Sequence, residues 1–79
     1  MNISDLVKAE LVRVKAKATA AEARLREDAG LTSLATIQVM SVLCKKLNIN
    51  IYSLSERDFA KVKTIGDLVD MLSEKSSPA

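Results

Sequence analysis

The chain has no histidine and no tryptophan, and only one cysteine, one proline and two glycines among its 79 residues. Without histidine there is no imidazole base, no imidazole metal ligand and no Ser–His nucleophile pair. The lone Cys44 supplies neither a zinc-ligand cluster nor an internal disulfide, which fits a reducing, cytoplasmic setting. One Tyr and one Phe leave little for bases to stack on. The basic residues Lys8, Arg13, Lys15, Lys17, Arg24 and Arg26 are interrupted by Glu10, Glu22, Glu27 and Asp28. A solvated surface is therefore expected rather than a nucleic-acid partner. No run approaches the ~18 apolar residues of a membrane span, and the N-terminus has no signal-peptide pattern. Scattered carboxylates in so small a helical protein offer little room for a closed, dry active site, so no enzyme, no catalytic residue and no metal site is expected.

What remains is an aliphatic chain: 48% of the residues are apolar although the aromatics are almost missing. A chain of this length buries only about 60% of its unfolded surface, enough for one modest core, so residues 1–79 form a single domain. Ile3, Leu6, Val7, Leu11 and Val14 recur at helical spacing behind Asn2, a suitable cap. From Lys15 to Asp28 neither Gly nor Pro interrupts a stretch rich in Ala, Glu and Arg. Local propensity would carry the helix on toward Asp28, yet Leu25 must fold back if a short bundle is to close.

A second helix is predicted over about 34–47. Its broad apolar face comprises Ile37, Val39, Met40, Leu43, Cys44 and Leu47, with Leu34, Ala35, Gln38, Val42, Lys45 and Lys46 on the other side. Cys44 and Met40 are read as core fillers, as is Met71. Asn48 to Tyr52 alternates like a strand, but with no partner it reads as an extended connection that drops Ile49 or Ile51 into the core. Ser53-Leu54-Ser55-Glu56 has capping-box spacing and predicts a short helix over about 54–60. Thr64-Ile65-Gly66-Asp67 repeats the logic before a last helix over about 65–74, burying Ile65, Leu68, Val69 and Leu72. Residues 75–79 are expected to form a frayed tail.

The stretch Gly30-Leu31-Thr32-Ser33-Leu34 carries the functional signal. Glycine permits a sharp reversal, Thr32 or Ser33 can cap the orphan amides of a first turn, and a serine there faces the positive end of the helix dipole. That setting favours a phosphate ester on its hydroxyl. The longer segment Leu25-Arg26-Glu27-Asp28-Ala29-Gly30-Leu31-Thr32-Ser33-Leu34-Ala35-Thr36-Ile37 resembles the phosphopantetheine attachment region of acyl carrier proteins. Their pattern reads roughly hydrophobic-x-Glu-Asp-Leu-Gly-x-Asp-Ser-Leu-x-x-Val. The likeness continues through Leu43, Leu47 and Ile51 and through Thr64-Ile65-Gly66-Asp67-Leu68-Val69; the first 24 residues match only in pattern.

The resemblance implies an all-α, small three-to-four-helix bundle of acyl-carrier type, with helices over about 3–17, 34–47, 54–60 and 65–74. A long loop beginning near Lys17 would follow the first helix. It implies a freestanding, cytoplasmic, monomeric carrier and phosphoprotein. Ser33 would bear a covalent 4′-phosphopantetheine arm derived from coenzyme A, attached by a phosphopantetheinyl transferase. The arm would hold acyl or aminoacyl intermediates as thioesters, in part sheltered between the second and third helices. Dedicated polyketide, specialised fatty-acid or nonribosomal pathways would suit it, with acyl-loading and ketosynthase-type or condensation enzymes as partners.

Two departures from the family pattern matter. Thr32 stands where the family has an Asp that helps bind the transferase, so recognition should suffer more than folding. The second helix, usually acidic, carries Lys45 and Lys46 and no acidic residue. Its outward positions Leu34, Ala35, Gln38, Ser41, Val42 and Lys45 are the expected partner surface, facing a neutral or acidic partner. The competing reading is an unmodified, carrier-like interaction module that docks partner proteins through the same helix.

Overall fold

A computed structural model describes residues 2–76. In chain order its elements are α1 (Ile3–Arg13), α2 (Ser33–Lys46), a 3-10 turn (Ile51–Ser53), α3 (Glu56–Lys61) and α4 (Ile65–Ser76). The all-α architecture expected from the sequence is present. Between described segments, the one β-type pairing is an isolated antiparallel bridge of Arg24 with Thr64.

Each helix begins on a side-chain oxygen, as orphan first-turn amides require. Asn2 caps α1 by accepting the Ser4 N–H at 2.8 Å. Thr64 accepts the Asp67 N–H at 3.1 Å, and the Asp67 carboxylate accepts the Thr64 N–H in return, the reciprocal box foreseen for α4. At α3 the box lies two residues later than expected. Ser55 and Asp58 form it, and the helix covers Glu56–Lys61 rather than 54–60. Ser53 is unavailable because it ends the 3-10 turn, while Leu54 is extended and buried. Ile49 and Ile51 are both half-buried against the core, so the connection is a turn rather than an extended run.

The first helix stops at Arg13, four residues short of the expected 17. Lys15 adopts a left-handed φ of 59°, its N–H donating to Val12 O and the Ala16 N–H to Leu11 O. This pair of bonds is the helix-terminating pattern usually built on glycine. The same pattern closes α2, where Asn48 (φ 60°) takes that role and the Ile49 N–H donates to Cys44 O. A lysine in this conformation is strained. The reversal it permits returns Ala23, Leu25, Ala29 and Leu31 to the core, and that burial offsets the strain. Packing thus overrides the helix propensity of 15–28.

That long loop is ordered by its own backbone. The Lys17 N–H donates to Ala29 O, and Leu31 N–H to Leu25 O, both at 2.9 Å. Gly30 makes the reversal between them with a φ of +75°. The loop is also fastened to the start of α4. Gly66 N–H donates to Ala21 O at 2.7 Å, Ile65 N–H to Ala23 O at 2.9 Å, and Leu25 N–H to Lys63 O at 3.0 Å. A Cβ at Gly66 would lie 3.1 Å from Ala21 O, so the close approach depends on glycine.

The core joins Val7 and Leu11 of α1, Val39, Met40, Leu43 and Cys44 of α2, and Ile65, Leu68, Met71 and Leu72 of α4. Val69, expected there, is half-buried. Burial pushes the Cys44 thiol above its ordinary pKa, consistent with a packing role. α4 runs to Ser76, past the expected end at 74 and into the expected tail; 77–79 lie outside the described residues.

One buried group was not anticipated. Glu10 is 1% exposed, and its carboxylate accepts Arg13 Nε at 3.0 and 3.1 Å while Lys46 Nζ of α2 stands 3.9 Å away. The Arg13 hydrogen bond, followed by the charges of Arg13 and Lys46, holds its carboxyl below the usual range against the opposing effect of burial. The folded chain therefore binds this proton less tightly than the unfolded chain. Its contribution is complete above the ordinary carboxylate range and disappears as pH falls through the lowered value. Asp58 and Asp67 are lowered too, chiefly by the backbone N–H groups of Ser55 and Thr64 respectively. Urea unfolding should thus show stability falling below about pH 4.5, with the slope reduced in Glu10→Gln. At pH 7, Arg13→Ala should lower the urea midpoint by weakening the pairing of a buried carboxylate.

Candidate functional site

The loop delivers the chain to α2 through buried Leu31, and Thr32 is the N-cap with an extended backbone (φ −73°, ψ 169°). Its hydroxyl oxygen accepts the Ala35 N–H at 3.1 Å, and its carbonyl accepts the Thr36 N–H at 2.9 Å. Ser33 is the first helical residue and is exposed. The helix thus runs over 33–46, one residue earlier than expected at both ends. Among the described residues, the Ser33 hydroxyl and the Ser33 and Leu34 N–H groups have no protein hydrogen-bond partner. No acidic residue occupies the first turn. An exposed hydroxyl beside two free amides at the positive end of a 14-residue helix suits a phosphodiester.

Ser33 also lines an open cleft of about 720 Å³. One wall is α2, whose Ser33, Thr36, Ile37 and Met40 follow each other at helical spacing. Facing it are Phe59 of α3, Val62 just after it, and the loop residue Leu25, which together make the floor apolar. The remaining wall carries Arg24, Arg26, Glu27, Lys63, Thr64 and Asp67. This cleft explains a correction. Ile37, placed by periodicity on the buried face, is 48% exposed, because α2 and α3 stand apart there and nothing covers it.

The residues expected to meet partners divide. Leu34 is 66% exposed, and Gln38, Ser41 and Lys45 are exposed as well. With Ile37 they form one stripe at i, i+3, i+4, i+7 and i+11. Ala35 and Val42 are half-buried, Ala35 packing against the core, so they contribute only edges to that surface. Lys46 leans instead toward Glu10.

The cleft lining was not identified from the sequence beyond a general place between the second and third helices. A signal did exist: Thr36, Ile37 and Met40 follow Ser33 at three, four and seven residues. Phe59 comes from α3, and Val62 and Lys63 from the connection after it, whose placement depends on tertiary packing.

An ordered serine at a helix start beside an apolar cleft is the arrangement of a carrier domain. The chain belongs to the phosphopantetheine attachment site family, whose model matches residues 3–72. It is a phosphopantetheine carrier protein, of a family to which 4′-phosphopantetheine is attached covalently. No curated protein matches the chain. Among the described residues, no helix is long and apolar enough to cross a membrane.

The cap at Thr32 is separable from the arm. Thr32→Ala should lower stability by about 1 kcal/mol, read as a shift in the urea midpoint, because the Ala35 N–H loses its acceptor. Thr32→Asp should leave the midpoint within a few tenths of a kcal/mol, since Asp caps at least as well as Thr.

Proposed function

We propose that Ser33 is the residue that receives the 4′-phosphopantetheine arm, and that the protein serves as a carrier rather than a catalyst. The observation that carries this reading is the exposed, unbonded Ser33 hydroxyl at the head of α2 and on the wall of an apolar cleft. Within the matched family region it has the setting that the chemistry needs. When bound, the arm supplies a terminal thiol that holds an acyl or aminoacyl group as a thioester.

The chain's own residues do the rest. Thr32 fixes the first turn so that the Ser33 and Leu34 amides point out of the helix start, toward a phosphate on Ser33. Leu25, Ile37, Met40, Phe59 and Val62 offer an apolar refuge for a chain that folds back from Ser33. The stripe from Leu34 to Lys45 presents apolar and neutral polar groups ending in a cation, with no carboxylate. A basic patch on a partner gains nothing from such a face, whereas a neutral or acidic one does. We place this carrier with a dedicated polyketide, specialised fatty-acid or nonribosomal assembly in the cytoplasm. Its partners there are a phosphopantetheinyl transferase of broad specificity and a loading and condensing enzyme with a neutral or acidic docking site.

Incubation with coenzyme A and a broad-specificity transferase should raise the intact mass by one arm in the wild type and leave Ser33→Ala unchanged. An unchanged wild-type mass under conditions that load a control carrier favours the unmodified docking module instead. Thr32→Asp should be loaded faster than the wild type. A ketosynthase that works on acidic carriers should use the loaded wild type poorly. The double replacement Gln38→Glu, Lys45→Glu should improve kcat/KM severalfold at low salt, an effect that fades as salt rises.

A further inference from the structure

The cleft beside Ser33 is apolar in its floor but not neutral at its rim. Five charged side chains line it: Arg24, Arg26, Glu27, Lys63 and Asp67. Both carboxylates are already engaged. Glu27 accepts Arg24 Nη1 at 3.1 Å. Asp67 Oδ2 accepts the backbone N–H groups of Lys63 and Thr64 at 3.2 and 3.1 Å. Arg24 is matched by Glu27, which leaves Arg26 and Lys63, both exposed and with no salt bridge among the described residues, the Lys63 charge reaching Asp67 only at longer range.

These two cations come from segments held together by backbone. The Leu25 N–H donates to Lys63 O at 3.0 Å, and Arg24 bridges Thr64, so the segments that carry residues 26 and 63 are fixed to each other and both side chains line the same cleft. An apolar floor below two cations that make no salt bridge suits a ligand with a hydrocarbon body and an anionic end. A plain alkyl chain would bury its body there and gain nothing from the cations.

Building on the reading of Ser33 as the attachment residue, we infer that Arg26 and Lys63 make this cleft selective for a carboxyacyl cargo. The hydrocarbon segment of such a cargo lies against Ile37, Phe59 and Val62, and its terminal carboxylate lies at the Arg26–Lys63 rim. The two basic residues are specificity-determining; they take no part in forming or breaking the thioester.

The test loads the full chain at Ser33 with three arms joined through stable amides: bare phosphopantetheine, a hexanoyl arm, and an adipoyl arm with a 13C-labelled terminal carboxylate. Intact mass is read first. A chain that accepts no arm, or accepts it elsewhere than Ser33, overturns the carrier reading and this inference with it. With loading established, the inference stands or falls separately on 1H–15N and 13C spectra. The expected result is that the adipoyl arm shifts the Ile37, Phe59 and Val62 amides together with those of Arg26 and Lys63. Its carboxylate pKa should lie below that of the free adipoyl pantetheine amide. In Arg26→Gln, Lys63→Gln the carboxylate pKa should return to the free value and the rim shifts should be lost. The hexanoyl pattern of the double variant, matching the wild type, certifies its fold. Two results overturn the inference: adipoyl and hexanoyl arms giving one pattern and the free pKa, or a bare arm already producing shifts that depend on Arg26 and Lys63. The latter means the cations hold the arm's phosphate.

Discussion

The loop between α1 and α2 is useful only because it is fastened to the start of α4. Three backbone hydrogen bonds and the Arg24–Thr64 bridge make the fastening, and Gly66 lets the two backbones approach. An amide of α4's first turn would otherwise be an unsatisfied donor at a partly buried helix end. Loop carbonyls answer that need at Ile65 and Gly66, while the loop buries Ala23 and Leu25 beside them. Everything at the functional end of the molecule follows from this. The loop wall of the cleft, the place of Arg26 and Lys63 on its lining, and the line along which Leu31 and Thr32 lead into Ser33 all start from the same pinned segment.

Charge is distributed with a comparable division of labour. Inside, Glu10 ties α1 to the C-terminal end of α2 through Lys46 and is held ionised by Arg13. Lys75 reaches Asp58 at 3.5 Å and joins the short α3 to α4. At the surface, the one charge on the exposed stripe of α2 is Lys45, and Arg26 and Lys63 line the cleft without a salt bridge among the described residues. Structural carboxylates are thus spent on caps and helix contacts, leaving the surfaces around Ser33 neutral to basic. Such a carrier approaches partners with a field opposite to that of an acidic carrier.

Much of the fold was legible because short-range chemistry determined it. Asn2, Thr32 and the Thr64–Asp67 pair cap helices as their side chains suggest, and the aliphatic periodicity located most of the core. Errors arose wherever tertiary contacts outweighed local preference. α1 stops at Arg13 because Leu25 and Leu31 are worth more in the core than four further helical residues. The capping box of α3 slips from Ser53 to Ser55 because the 3-10 turn consumes the first serine. The helix start at Ser33 was legible through Gly30 and the Thr32 cap. The cleft was less so, since Ile37 scores as buried by periodicity, and Phe59 and Lys63 reach it only through the packing of α3 and α4.

The role of Ser33 is tested most directly by locating the arm along the chain. Cleavage after Arg26 and Lys45 releases residues 27–45, a peptide that contains Thr32, Ser33, Thr36 and Ser41 as competing hydroxyls. Fragmentation of this peptide from transferase-treated protein should place the phosphopantetheine on Ser33, with Thr32, Thr36 and Ser41 unmodified. An arm on any of those three, or none on a peptide from protein treated alongside a fully loaded control carrier, would contradict it.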